Sequence, residues 1–126
     1  MPKPQSKIAP PIDEDSQRTA VAAARAAQEK KAEEVAVIDL RGVSGYADFL
    51  VICSGQSDRQ LEAIADSVEQ ELAAQGRRAF GSEGQRGGRW VLLDFGDVVV
   101  HVFHREERGH YDLEGLWADA PRLDLV

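Results

Sequence analysis

The order of apolar and polar positions divides the chain into a short series of elements. Residues 1–13 hold four prolines and few apolar side chains, the composition of a disordered tail. A single domain is expected over residues 14–126. Residues 14–31 are alanine-rich and favour a helix. Asp13, Glu14 and Asp15 at its start and Lys30 and Lys31 at its end complement the helix dipole. Its apolar face is mostly alanine with Val21, so only close packing is open to it. Residues 34–40 (EVAVIDL) read as a strand that buries Val35 and Val37, with Ile38 a further candidate. Residues 41–47 carry two glycines and a serine and read as a loop. Residues 48–54 (DFLVICS) are almost wholly apolar, which predicts a central strand covered on both faces.

The clearest helix follows. Ser57 is a good N-cap, and Gln60 three residues later completes a capping box. Leu61, Ile64, Ala65, Val68 and Leu72 fall on one helical face, with Glu62, Asp66 and Glu69 on the outer side. Gly76 is placed to end the helix. Residues 78–82 suggest a short edge strand, and residues 83–88, with three glycines, a loop. Residues 89–95 (RWVLLDF) and 98–103 (VVVHVF) are two strands joined by Gly96-Asp97, a pair suited to a tight hairpin. The polar stretch after His104 predicts one or two short helices, and the chain from Pro121 a loose end. The order α-β-β-α-β-β-β-α gives an α/β (α+β) domain, a mixed sheet of about five strands with flanking helices.

Composition narrows the function. A chain of 126 residues with 22 acidic and 15 basic side chains has a net charge of -7. Affinity for nucleic acid through neutralised phosphates is therefore disfavoured, and little direct nucleic-acid contact is expected. Residues 1–33 carry a net charge of +1 (six basic, five acidic) and residues 34–126 a net -8 (nine basic, 17 acidic), so the acid excess belongs to the domain. Cys53 is the single cysteine, which excludes an intrachain disulfide and a multi-cysteine zinc site. No stretch approaches the roughly 20 apolar residues of a membrane span, and no signal-peptide core opens the chain. A cytoplasmic protein is expected, without cofactor and without membrane contact.

No catalytic constellation emerges. His101, His104 and His110 lie close in sequence, but His101 and His104 point to opposite faces of a strand and cannot share one ion there. Residues 54–58 (SGQSD) connect a strand to a helix start, a place that can receive an anion, yet no phosphate-binding glycine motif is present. Nucleotidyl transfer needs carboxylates converging on metal ions, and no D-x-D pair supplies them; Asp94 and Asp97 flank a turn instead. Alternation along residues 89–95 puts Val91, Leu93 and Phe95 in the core. Trp90, Leu92 and Asp94 face the other way, either as half of a protein-binding surface or under a covering helix. Residues 94–124 carry eight carboxylates against three arginines. Gathered on one side they would suit a basic protein partner; dispersed they are a solvated face.

Two blocks in this sequence, DFLVICSGQSDRQLEAIADSVEQEL and WVLLDFGDVVVHVFHREERGHYDLEGLWADAP, resemble the Iojap-type ribosomal silencing factors over residues 15–121. The resemblance implies a nucleotidyltransferase-like fold without the catalytic acids, and no enzymatic activity. It implies a translational repressor that docks on ribosomal protein fourteen of the large ribosomal subunit and blocks joining of the small subunit. It also implies a homodimer when free. Organelle relatives assist large-subunit assembly, which keeps an assembly role as an alternative; a nucleotidyltransferase-like enzyme is the rival from another class. Within the matching blocks, the partner surface is assigned to Trp90, Leu92, Asp94, Asp97, Tyr111 and Asp112, which combine aromatic anchors with carboxylates.

Overall fold

A computed structural model of the chain describes residues 10–83 and 89–125. The elements are α1 (Pro10–Glu29), β1 (Glu33–Asp39), β2 (Phe49–Gly55), α2 (Asp58–Ala74), β3 (Gly81–Glu83), β4 (Trp90–Asp94), β5 (Val98–His104), α3 (Arg105–Tyr111), α4 (Leu113–Leu116) and β6 (Arg122–Leu123). The strands form one mixed sheet in the order β3-β4-β5-β2-β1-β6. Only β2 and β5 run parallel; every other neighbouring pair is antiparallel.

β2 and β5 sit at the centre because their sequences can be covered on both sides. All seven residues of each are buried. Phe49, Val51 and Cys53 face one core with Val98, Val100 and Val102. Leu50 and Ile52 face the other with Val99 and Phe103. The first core lies under α1 and α2. There Leu61, Ile64, Ala65, Val68 and Leu72 are all buried, the face that helical spacing selects. On α1 the buried apolar residues are alanines 20, 23, 24, 26 and 27. These let the two helices approach closely enough for the Ser67 hydroxyl to donate to the Ala26 carbonyl (3.0 Å). Val21 is not part of that core; it is half-buried on the outer side beside Arg18 and Arg25.

The helix start is as its residues dictate, with one shift. Ser57 Oγ accepts from the Gln60 amide at 3.1 Å, while the Gln60 side chain accepts from the Gln56 amide rather than from Ser57. Gly76 takes φ 82 after the Gln75 cap, a conformation that favours glycine. At the β4–β5 turn Gly96 takes φ 90, and the Phe95 amide donates to the Val98 carbonyl to close a two-residue hairpin.

The structure corrects several boundaries. α1 begins at Pro10 rather than at residue 14, since proline is tolerated in a first helical turn; residues 1–9 lie outside the described residues. Lys30 and Lys31 fall in the turn after α1, not in its last turn. The edge strand is Gly81–Glu83 rather than residues 78–82, and residues 84–88 of the expected glycine loop lie outside the described residues. The end of the chain is not loose. β6 pairs with β1 through Val37 and Leu123, and the Asp39 amide donates to the Pro121 carbonyl at 2.8 Å. Two residues are too few for any periodicity to announce a strand. The sheet therefore has a sixth strand at the edge of the five that were expected.

Candidate functional site

The second face of the sheet is covered only in part. Trp90 and Leu92 of β4, with Leu113 and Trp117 in and just after α4, are partly buried against the core cluster that includes Leu50 and Phe103. Between them runs a groove of about 410 Å³, lined also by Tyr46, Leu116 and His101. Tyr46 is 52% exposed and Leu116 69% exposed, although both are large and apolar in the main. Trp90 is half-buried, and beside it an apolar groove is left open.

Local chemistry fixes the walls. Trp90 stacks on Phe103 (ring centroids 5.3 Å apart) and on His101 (5.6 Å), and its Nε1–H donates to His101 Nδ1 at 3.0 Å. Burial pushes the His101 ring down to about 4, so it is neutral near pH 7. The opposite wall is set by Asp112, which takes φ 48 between two helices and accepts from the Gly115 amide, capping α4. Behind it, the buried Arg108 donates twice to the Glu114 carboxylate (2.9 Å each) and once to Ser54 Oγ (2.9 Å), tying α3 and α4 to β2. That hydrogen-bonded guanidinium holds the Glu114 carboxyl below the usual range.

The six residues assigned to a partner surface do not all gather here. Trp90 and Leu92 line the groove. Asp94 lies on the same face of β4 and accepts from the Gly96 amide; its charge and, more strongly, burial push the Tyr46 hydroxyl up. Asp112 stands at the start of α4. Asp97 turns to the helical side of the sheet, where it pairs with Arg77, which also donates to Thr19 of α1 and to the Phe95 carbonyl. It staples helices to hairpin and does not join the groove. The Tyr111 side chain lies outside the described residues, as does that of His110.

The acidic stretch is dispersed. Of its carboxylates, Asp97 pairs with Arg77, Glu106 and Glu107 with Arg89, and Glu114 with Arg108 and Arg122. The groove itself is lined mainly by apolar and aromatic side chains; Asp94 is near enough to act on Tyr46, and Asp112 caps the helix that begins at Leu113. Sequence reasoning missed Tyr46, His101, Leu113, Leu116 and Trp117 as groove residues. For three of these a signal existed: Leu113, Leu116 and Trp117 stand at i, i+3 and i+4, the apolar stripe of a short helix. His104, one residue beyond the strand expected over 98–103, ends β5 and caps α3 by accepting from the Glu106 amide. Among the described residues no group of three or more His, Cys, Asp or Glu side chains could hold a metal ion. Among the same residues no helix is long and apolar enough to cross a membrane.

The family model described as "Ribosomal silencing factor during starvation" matches residues 13–126. This chain belongs to the ribosomal silencing factor family. Two proteins named ribosomal silencing factor, from Halalkalibacterium halodurans and Bacillus subtilis, are each 48% identical to it over 103 residues. The matches cover 82% of this chain and 88% and 87% of those proteins. A crystal structure of a Chromobacterium violaceum protein, 36% identical, has a TM-score of 0.78 and covers 81% of this chain and 85% of that one. The family match spans every element that builds the groove of this ribosomal silencing factor homologue, from Tyr46 through Trp117.

Proposed function

We propose that this protein is a translational repressor that binds the large ribosomal subunit and works by occlusion, without catalysing a reaction. In this reading the groove walled by Trp90, Leu92, Leu113 and Leu116 docks on a basic protein of that subunit, ribosomal protein fourteen, and the bound domain keeps the small subunit from joining. The observation that carries the reading is an exposed apolar groove, with Asp94 acting on its Tyr46 and Asp112 capping its helix, in a chain of the ribosomal silencing factor family. Apolar anchors surrounded by charge are the usual anatomy of a protein docking site. The acid excess supports a protein contact over an RNA contact, because phosphates repel carboxylates. The protein acts in the cytoplasm and is a homodimer when free.

The test uses purified ribosomal subunits on a density gradient. The protein should comigrate with large subunits and lower the joined fraction. Leu116→Asp should abolish both while leaving the melting temperature unchanged, because Leu116 is 69% exposed and contributes little to the core. Failure of the wild type to comigrate, or undiminished joining, refutes the proposal.

A further inference from the structure

β5 reads VVVHVFH, and every residue of it is buried. A hydrocarbon at position 101 would pack there without the cost of desolvating an imidazole, so the histidine needs a partner. Its recorded partner is Trp90. The two residues sit diagonally across the β4–β5 pair, with Trp90 opposite Phe103 and Leu92 opposite His101. The three rings lie nearly parallel in one cluster: Trp90 against Phe103 at 22°, Trp90 against His101 at 25°, and His101 against Phe103 at 9°. The hydrogen bond adds direction to that stack. An indole N–H can only donate, so His101 Nδ1 presents a lone pair and the neutral ring carries its proton on Nε2. The χ2 torsion of tryptophan is broadly two-fold, and a ring flip carries Nε1 away from Nδ1.

We propose that His101 is a positioning residue for docking: it accepts from the Trp90 indole and so holds that ring in one orientation at the groove wall. The inference rests on the docking reading above. Trp90 is half-buried, with one side against the stack and the other along the groove. Without the acceptor, its orientation is selected at the moment of binding rather than beforehand, and that ordering weakens association. His101 itself is buried, 4% exposed.

The experiment measures affinity for purified large ribosomal subunits by cosedimentation, with thermal melts of each variant. His101→Phe keeps a ring for the stack and removes the acceptor. His101→Asn places an amide oxygen near the site of Nδ1. Trp90→Phe keeps a ring and removes the donor. H101F should lose about tenfold in affinity, the scale of ordering one large side chain, while still melting cooperatively. H101N should bind within about twofold of wild type, and the H101F/W90F double variant should bind no more weakly than W90F alone, because both changes remove one interaction. A purely structural histidine would show neither the rescue nor the non-additivity. If H101F does not melt cooperatively, His101→Val, which suits a buried strand, takes its place under the same expectations. Wild-type binding by the acceptor-free variant, or losses that multiply in the double variant, overturns the inference alone. A wild type that fails to cosediment overturns the docking reading, and this inference with it.

Discussion

Acid should weaken this fold through a single histidine. Burial lowers the His101 pKa from 6.5 to about 4. Between those values the unfolded chain binds a proton that the folded one refuses. Stability is therefore greatest above pH 6.5, falls as the pH drops toward 4, and levels off below it, once both states are protonated. The full gap corresponds to about 3 kcal/mol, and the loss between pH 7 and pH 5 to about 2 kcal/mol. Against the 5–15 kcal/mol that holds a typical domain together, that is a large share. Urea denaturation of wild type and H101N at both pH values isolates it. His104 and His110 are present in both proteins and cancel in the comparison. The lowered carboxyls of Glu114, held by Arg108, and Asp39, held by Arg41, contribute stability that is lost only as the pH falls below their ordinary values of 4.5 and 3.8, outside the window. The wild type should lose about 2 kcal/mol more than H101N on going from pH 7 to pH 5. Parallel losses in the two proteins would show that the ring titrates alike folded and unfolded, and would refute the reasoning.

Two further perturbations test the local chemistry. Ser57→Ala removes the acceptor for the Gln60 amide at the start of α2 and should cost about 1 kcal/mol by chemical denaturation. Gly96→Ala should cost about 1–2 kcal/mol, because its φ of 90 is unfavourable to any side chain. The added Cβ would also meet Phe80 Cε2 at 2.7 Å, but Phe80 is 82% exposed and can swing aside, so adding Phe80→Ala should not restore the loss.

Local signals were legible wherever one element carried its own evidence. The α2 face from Leu61 to Leu72, the Ser57 cap, the doubly buried β2 and the Gly96 turn each follow from spacing or from a single residue's backbone preference. The alternation along β4 correctly separated the core residues Val91, Leu93 and Phe95 from Trp90, Leu92 and Asp94. Two blocks of sequence were enough to indicate the family.

The candidate site was only half legible, because a groove belongs to the space between elements. Trp90 and Leu92 could be assigned to a face, but whether that face was covered depended on where α4 came to rest. The Arg108 contacts to Glu114 and Ser54 settle that, joining residues up to 54 positions apart. Asp97 shows the opposite case. Beside Asp94 in sequence it looked like part of one acidic rim, yet the turn sends it across the sheet to Arg77 and Thr19. The acid excess could be assigned to the domain from the chain alone, but the choice between a gathered and a dispersed arrangement could not: ion pairs with arginines from other elements disperse it. Periodicity and caps are set by neighbours within a few residues, so the chain alone determined its helices, its central strands and its family. Pairing across tens of residues is set by three-dimensional proximity, so only the tertiary structure decided that β6 closes the sheet edge, that Asp97 turns away from the groove and that His101 accepts from Trp90.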